Sequence, residues 1–192
     1  MRGVPAKTEQ RRGVHAMTEK QQSNPKPEPW LRGVVYDLPA ALVAVLDALQ
    51  LGAEDIGRWC TNLSEAEVHA RPSSLPSVGF HLRHIARSMD RLLTYAEGNR
   101  LNERQLGALK SEKDSNGSPK SILEEFQASL EDAAARIYAF KSVSLELPRT
   151  VGRQSLPSTV GGLLVHIADH TQRHVGQAIT TAKLLLALRN HE

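Results

Sequence analysis

Four long stretches of this chain carry apolar residues at every third or fourth position, and that spacing commits it to packed α-helices. The first predicted helix spans residues 38–63, with Asp37 as N-cap, Pro39 in the opening turn, and Leu42, Leu46, Leu49, Ile56 and Trp59 on one face. Ser64 and Glu67 form the capping box of a short helix stopped by Pro72. A Pro/Ser linker, 72–76, leads to a second long helix over about 77–97, with Gly98 placed to cap its end. Residues 99–118 are polar, with one short helix around 104–109. The third long helix starts near Pro119, with a capping box at Ser121 and Glu124, and runs to about 142. A loop holding Pro148 and Pro157 precedes the fourth, capped by Ser158 or Thr159 and reaching about 188. No segment shows sustained period-two alternation, so the reading is all-α with four long helices in one bundle.

Composition supports that class. Aromatic residues make up only 4% of the chain, so its core must be assembled from Leu, Ala, Val and Ile. Residues 1–32 hold seven Lys/Arg against three Glu and contain a duplicated decapeptide, Arg2 to Glu9 recurring as Arg12 to Glu19. Two copies of ten residues cannot bury a core, so 1–32 reads as a disordered basic tail and 33–192 as the folded domain. Outside the tail, 17 basic side chains face 18 acidic ones, a balance that offers no footprint for nucleic acid or an anionic membrane. No apolar run reaches transmembrane length, the first residues lack a secretory apolar block, and the single cysteine, Cys60, excludes an intrachain disulfide. A cytoplasmic protein is expected. Cys60, beside Trp59, reads as a buried apolar residue, not a nucleophile.

The chemistry lies in histidine. Five of the eight histidines fall in two of the predicted helices: His81 and His84 in the second, His166, His170 and His174 in the fourth. Two imidazoles four residues apart on a helix point the same way and can chelate one ion. A pair alone is a weak signal; a third ring from another helix strengthens it. At about 100° per residue, His174 lies about 80° from the centre of the fourth helix's apolar stripe, His170 about 120° and His166 about 160°. His166 therefore faces solvent, while His170 and His174 flank the core. Gln177 shares that flank and is placed to orient a ligand or a water. On the second helix, phase puts His81 nearer the core than His84, so periodicity leaves the third ligand open between them. His69, in a polar loop, and His191, near the end, read as solvated, and Asp169 with Arg173 as a surface ion pair.

The run His170-Thr171-Gln172-Arg173-His174-Val175-Gly176-Gln177 resembles the H-x-x-x-H-x-G-Q signature of the DinB-like (YfiT-like) superfamily. The run from Ser77 through His84 to Ala86 is similar to that family's earlier one-histidine helix, and the order of elements agrees over roughly residues 30–190. The resemblance implies an up-down-down-up four-helix bundle, often dimeric, with one divalent metal ion on His84, His170 and His174. It thus selects His84 by analogy and makes His81 and His166 extra histidines near the site or on the surface, with His81 and Gln177 the candidates for a supporting role. Zinc and nickel head the candidates for an all-imidazole site, with the identity open.

An ion on three neutral imidazoles is a strong Lewis acid with open positions, which suits hydrolysis or the transfer of a low-molecular-weight thiol to a small electrophilic substrate. Characterised relatives are similar to the second case. The resemblance therefore implies a metal-dependent thiol S-transferase or hydrolase. The other reading is a non-catalytic metal-binding bundle with a stress-response or interaction role. No general base stands out.

Overall fold

The computed structural model describes residues 26–33, 37–112 and 116–189. The duplicated decapeptide, His15, Tyr36 and His191 lie outside these residues. Among the described residues there are six α-helices and one two-stranded hairpin. The long helices are α1 (Ala40–Trp59), α3 (Val78–Ala96), α5 (Pro119–Tyr138) and α6 (Val160–Arg189); the short ones are α2 (Glu65–His69) and α4 (Glu103–Lys110). The strands are β1 (Pro148–Val151) and β2 (Leu156–Thr159). No described helix is long and apolar enough to cross a membrane.

The buried stripes show why the long segments pack. In α1 the buried positions are Leu42, Val45, Leu46, Leu49, Gly52 and Ile56, and in α5 they are Ile122, Phe126, Leu130, Ala133 and Ile137. Each helix thus has one apolar face at helical spacing and must bury it against another. The structure does this by setting α1 and α3 each against both α5 and α6. Leu82 and Ile85 of α3 and Ile167 of α6 sit fully buried at the centre. Gln172 of α6 donates to the carbonyl of Ala48 in α1 at 2.6 Å, adding a polar tie between those helices.

Several helix ends follow the local signals. Ser64 and Glu67 make the capping box of α2, and Ser77 caps α3 by accepting from the amide of Phe80 at 3.2 Å. After α3, Gly98 takes a φ of +84°, and the amides of Gly98 and Asn99 return to the carbonyls of Tyr95 and Thr94. This is the Schellman arrangement, which needs a residue comfortable at positive φ.

Other ends differ. Asp37 does not cap α1; Pro39 holds that position, and the Asp37 carboxylate pairs with Lys141 instead. The helix also ends at Trp59 rather than near residue 63, and α5 stops at Tyr138 rather than near 142. The α5 cap is Ser118, accepting from the amide of Ser121 at 3.2 Å, so Ser121 lies inside the first turn. The expected loop over 143–157 contains the hairpin, with Pro148 opposite Thr159 and Val151 opposite Leu156. Four-residue strands that each carry a proline show no alternation long enough to register. Within the stretch read as a tail, Pro29–Leu31 form a 3₁₀ turn, and Arg32 makes two 2.6 Å hydrogen bonds to the Glu54 carboxylate on α1.

The hairpin and α4 position the candidate site. Thr159, the last residue of β2, accepts from the amide of Gly162 at 3.0 Å and so caps α6 as the chain leaves the strand. Arg149 of β1 donates to the carbonyl of Ala96 at 2.6 Å, tying the hairpin to the end of α3. The α4 helix is fastened to α3 at both ends. Buried Gln105 donates to Thr94 at 2.8 Å, and Arg87 donates to the Ala108 carbonyl and the Ser111 hydroxyl, each at 3.2 Å.

Candidate metal centre

Helices α3 and α6 pack closely and carry five histidines between them. One nitrogen from each of His84, His170 and His174 falls within 4.8 Å of the others. The ring centroids are 4.9 Å apart for His84 and His170, 4.5 Å for His84 and His174, and 4.6 Å for His170 and His174. His170 and His174 owe their common direction to the one-turn spacing on α6, and His84 reaches them from α3.

The donor set fits a divalent ion. Nε2 of His84 and Nε2 of His170 face each other at 3.1 Å. Two nitrogens bound tetrahedrally at about 2.0–2.1 Å from zinc would stand roughly 3.3 Å apart, so the two rings are already near that spacing. His170 and His174 are also held in the neutral form that can bind metal. Burial, reinforced by His174, His84, His166 and Arg173, pushes His170 down to about 4. Burial, with His84 and Arg173, likewise lowers His174 against the opposing pull of Glu112.

His81 is the inward residue that helical phase suggested, at 1% exposure. It is not one of the three converging rings; its Nδ1 lies 3.0 Å from Nδ1 of His174. If His174 keeps Nε2 free for an ion, its Nδ1–H donates to His81, whose proton then sits on Nε2. That buried Nε2 has no hydrogen-bond partner in the structure. Burial, then His174 and His84, lowers His81 to about 4, so it too is neutral near pH 7. Periodicity thus located the more buried ring correctly, but burial and convergence are different properties.

The remaining candidates separate cleanly. His166 is exposed and lies beside Asp169 at 3.9 Å, and Asp169 pairs with Arg173 at 2.6 Å on the outer face. Gln177 is exposed one turn beyond Arg173, with no hydrogen bond to the imidazoles. His69 is not solvated as expected: it ends α2, is half-buried, and its Nε2 contacts the carbonyl oxygen of Gly117 at 2.8 Å. Cys60 is buried as expected, and burial pushes its thiol up to about 12. No thiolate nucleophile comes from that residue.

Two neighbours of the rings are absent from the candidates drawn from the sequence. Phe80, one turn before His84, stacks on its ring at 5.5 Å with planes 15° apart and presents its edge to His81. Glu112, in the turn after α4, places Oε2 at 3.0 Å from Nδ1 of His84. A stacked aromatic one turn away was discoverable from helical spacing; a loop carboxylate 28 positions on was not. A separate 790 Å³ groove, lined by residues including Asp90, Glu97, Asp132 and Arg136, contains none of the imidazoles. Within it Arg136 bonds to Asp90, Glu97 and Asp132 together.

A family model described as the DinB superfamily matches residues 48–178, a stretch that contains all five of these histidines as well as Glu112. No curated protein and no solved structure matches the chain.

Proposed function

This chain belongs to the DinB superfamily, and from that membership we propose that it is a metalloprotein in which His84, His170 and His174 hold one divalent ion. The observation that carries the reading is the convergence of three imidazole nitrogens from α3 and α6 within 4.8 Å. In the same reading the four long helices form the up-down-down-up bundle, and the ion is zinc or nickel. Bound there, a divalent ion supplies Lewis acidity, which acidifies a coordinated water or thiol and polarises a substrate.

The function proposed is a thiol S-transferase or hydrolase acting on small electrophilic molecules. The chain's own part is to bind and orient. Depressed basicity keeps His170 and His174 unprotonated at neutral pH, so protons do not compete for their lone pairs. Phe80 covers one face of His84 and limits the directions from which solvent reaches that ring. Because Cys60 is buried with its thiol strongly favoured over thiolate, a transferred sulfur must come from a separate low-molecular-weight thiol.

The test is metal analysis of untagged protein, followed by turnover assays with zinc- and nickel-loaded protein against several small thiols and model electrophiles. The proposal expects near-stoichiometric metal in the wild type and its loss, together with turnover, in His84→Ala and His170→Ala. Retention of full metal in both variants would refute the site. Full occupancy without turnover in any assay would point instead to a non-catalytic metal-binding role.

A further inference from the structure

Glu112 is held by two residues of one helix face. His84 and Arg91 are seven positions apart on α3, which is nearly two full turns, so both project to the same side. The Glu112 carboxylate spans them: Oε2 lies 3.0 Å from Nδ1 of His84, and Oε1 accepts from Nη1 of Arg91. Arg91 is itself fixed by a 3.0 Å hydrogen bond to the Ser88 hydroxyl. Glu112 is 6% exposed, and α4 delivers it to this point through the Arg87 contacts to Ala108 and Ser111. A carboxylate this enclosed is costly unless both oxygens are satisfied, and here both are.

An ionised carboxylate can only accept hydrogen bonds. The partner nitrogen of His84 must therefore carry a proton, and in the neutral ring that leaves Nε2 as a bare lone pair. That Nε2 is the atom facing His170 at 3.1 Å. We infer that Glu112 is a positioning residue that fixes His84 as the Nδ1–H tautomer and aims its Nε2 at the point shared with His170 and His174. The inference rests on the metal reading for its purpose, but the tautomer itself is a property of the metal-free chain. Histidine ligands whose second nitrogen is held by a carboxylate gain a fixed orientation and a more basic ligand atom.

The decisive measurement is made on metal-free, full-length protein labelled with ¹⁵N-histidine at neutral pH. Two-bond ¹H–¹⁵N correlations assign the protonated nitrogen of His84. The wild type is expected to show Nδ1–H; Glu112→Ala is expected to lose that preference, and the near-isosteric acceptor in Glu112→Gln to restore it. Zinc affinity, measured by competition with a chromophoric chelator, is expected to fall about 10- to 100-fold in Glu112→Ala and to be unchanged in His166→Ala. A folded wild type with His84 protonated at Nε2 overturns the inference without recourse to any variant, so misfolding of Glu112→Ala leaves it testable. It is equally overturned if Glu112→Ala keeps both the Nδ1–H form and wild-type zinc affinity. A wild type that shows Nδ1–H but binds neither zinc nor nickel refutes the proposed function and leaves the tautomer assignment standing.

Discussion

Acid should destabilise the metal-free protein above the range where its carboxylates titrate, and His81 supplies a separable share of the effect beside His170 and His174, whose values are lowered too. The ring is 1% exposed, and its folded value is lowered from 6.5 to about 4 by burial and by the neighbouring His174 and His84. The unfolded chain therefore takes up a proton at this residue as pH falls through 6.5, while the native state refuses it until about 4. The His81 share of stability is fully present above 6.5, declines as pH falls, and levels off below about 4. At about 1.4 kcal/mol per pH unit, the His81 contribution to the loss is roughly 3 kcal/mol. For a chain of this size, with a urea slope of about 2 kcal/mol per molar, that share alone would lower the midpoint by about 1.5 M. Glu54 and Glu67, held near 2 by hydrogen bonds from Arg32 and Arg189 respectively, contribute only below their unfolded value of 4.5. Glu112 behaves in the same sense, because its bonds to His84 and Arg91 outweigh the upward push of burial. The assay is urea unfolding in the presence of a chelator at several pH values from 7 to 4, comparing wild type with His81→Leu. The variant should be less sensitive to pH by roughly the 3 kcal/mol assigned to His81. Parallel losses in the two proteins between pH 6.5 and 4.5 would refute the reasoning.

Three further outcomes follow from the packing. Thr159→Ala removes the hydroxyl that caps α6 and should cost about 1 kcal/mol, read as a lower thermal midpoint. Gly57 and Gly161 should respond oppositely to alanine. A Cβ at Gly57 meets nothing within 4 Å, so the α1 helix gains up to about 1 kcal/mol, whereas one at Gly161 comes within 3.1 Å of the Leu145 carbonyl oxygen and destabilises; paired denaturant titrations test both. Cys60 should resist an aromatic disulfide reagent in native buffer and react promptly in denaturant; fast native labelling would contradict its burial.

Helical character was legible in the chain because it is a local property: the three-to-four spacing of Leu, Ile and Val repeats within each segment, and caps such as Ser64, Ser77 and Gly98 act within a turn or two of themselves. The same locality made His170 and His174 recognisable as a pair, and it placed His81 inward and His166 outward on their helices. The cap expected at Ser121 falls instead on Ser118, a shift of three residues that only the folded backbone shows. The hairpin was missed because four-residue strands owe their existence to pairing with each other, not to a pattern within either. The distinction between His81 and His84 also required tertiary structure. Phase reports how deep a ring lies relative to its own helix, but which rings meet depends on how α3 is rotated and translated against α6. Glu112 marks the limit most plainly, since it sits in a turn with no period. Its position against His84 comes from the route of α4 across α3, a contact between residues far apart in sequence that no local spacing encodes.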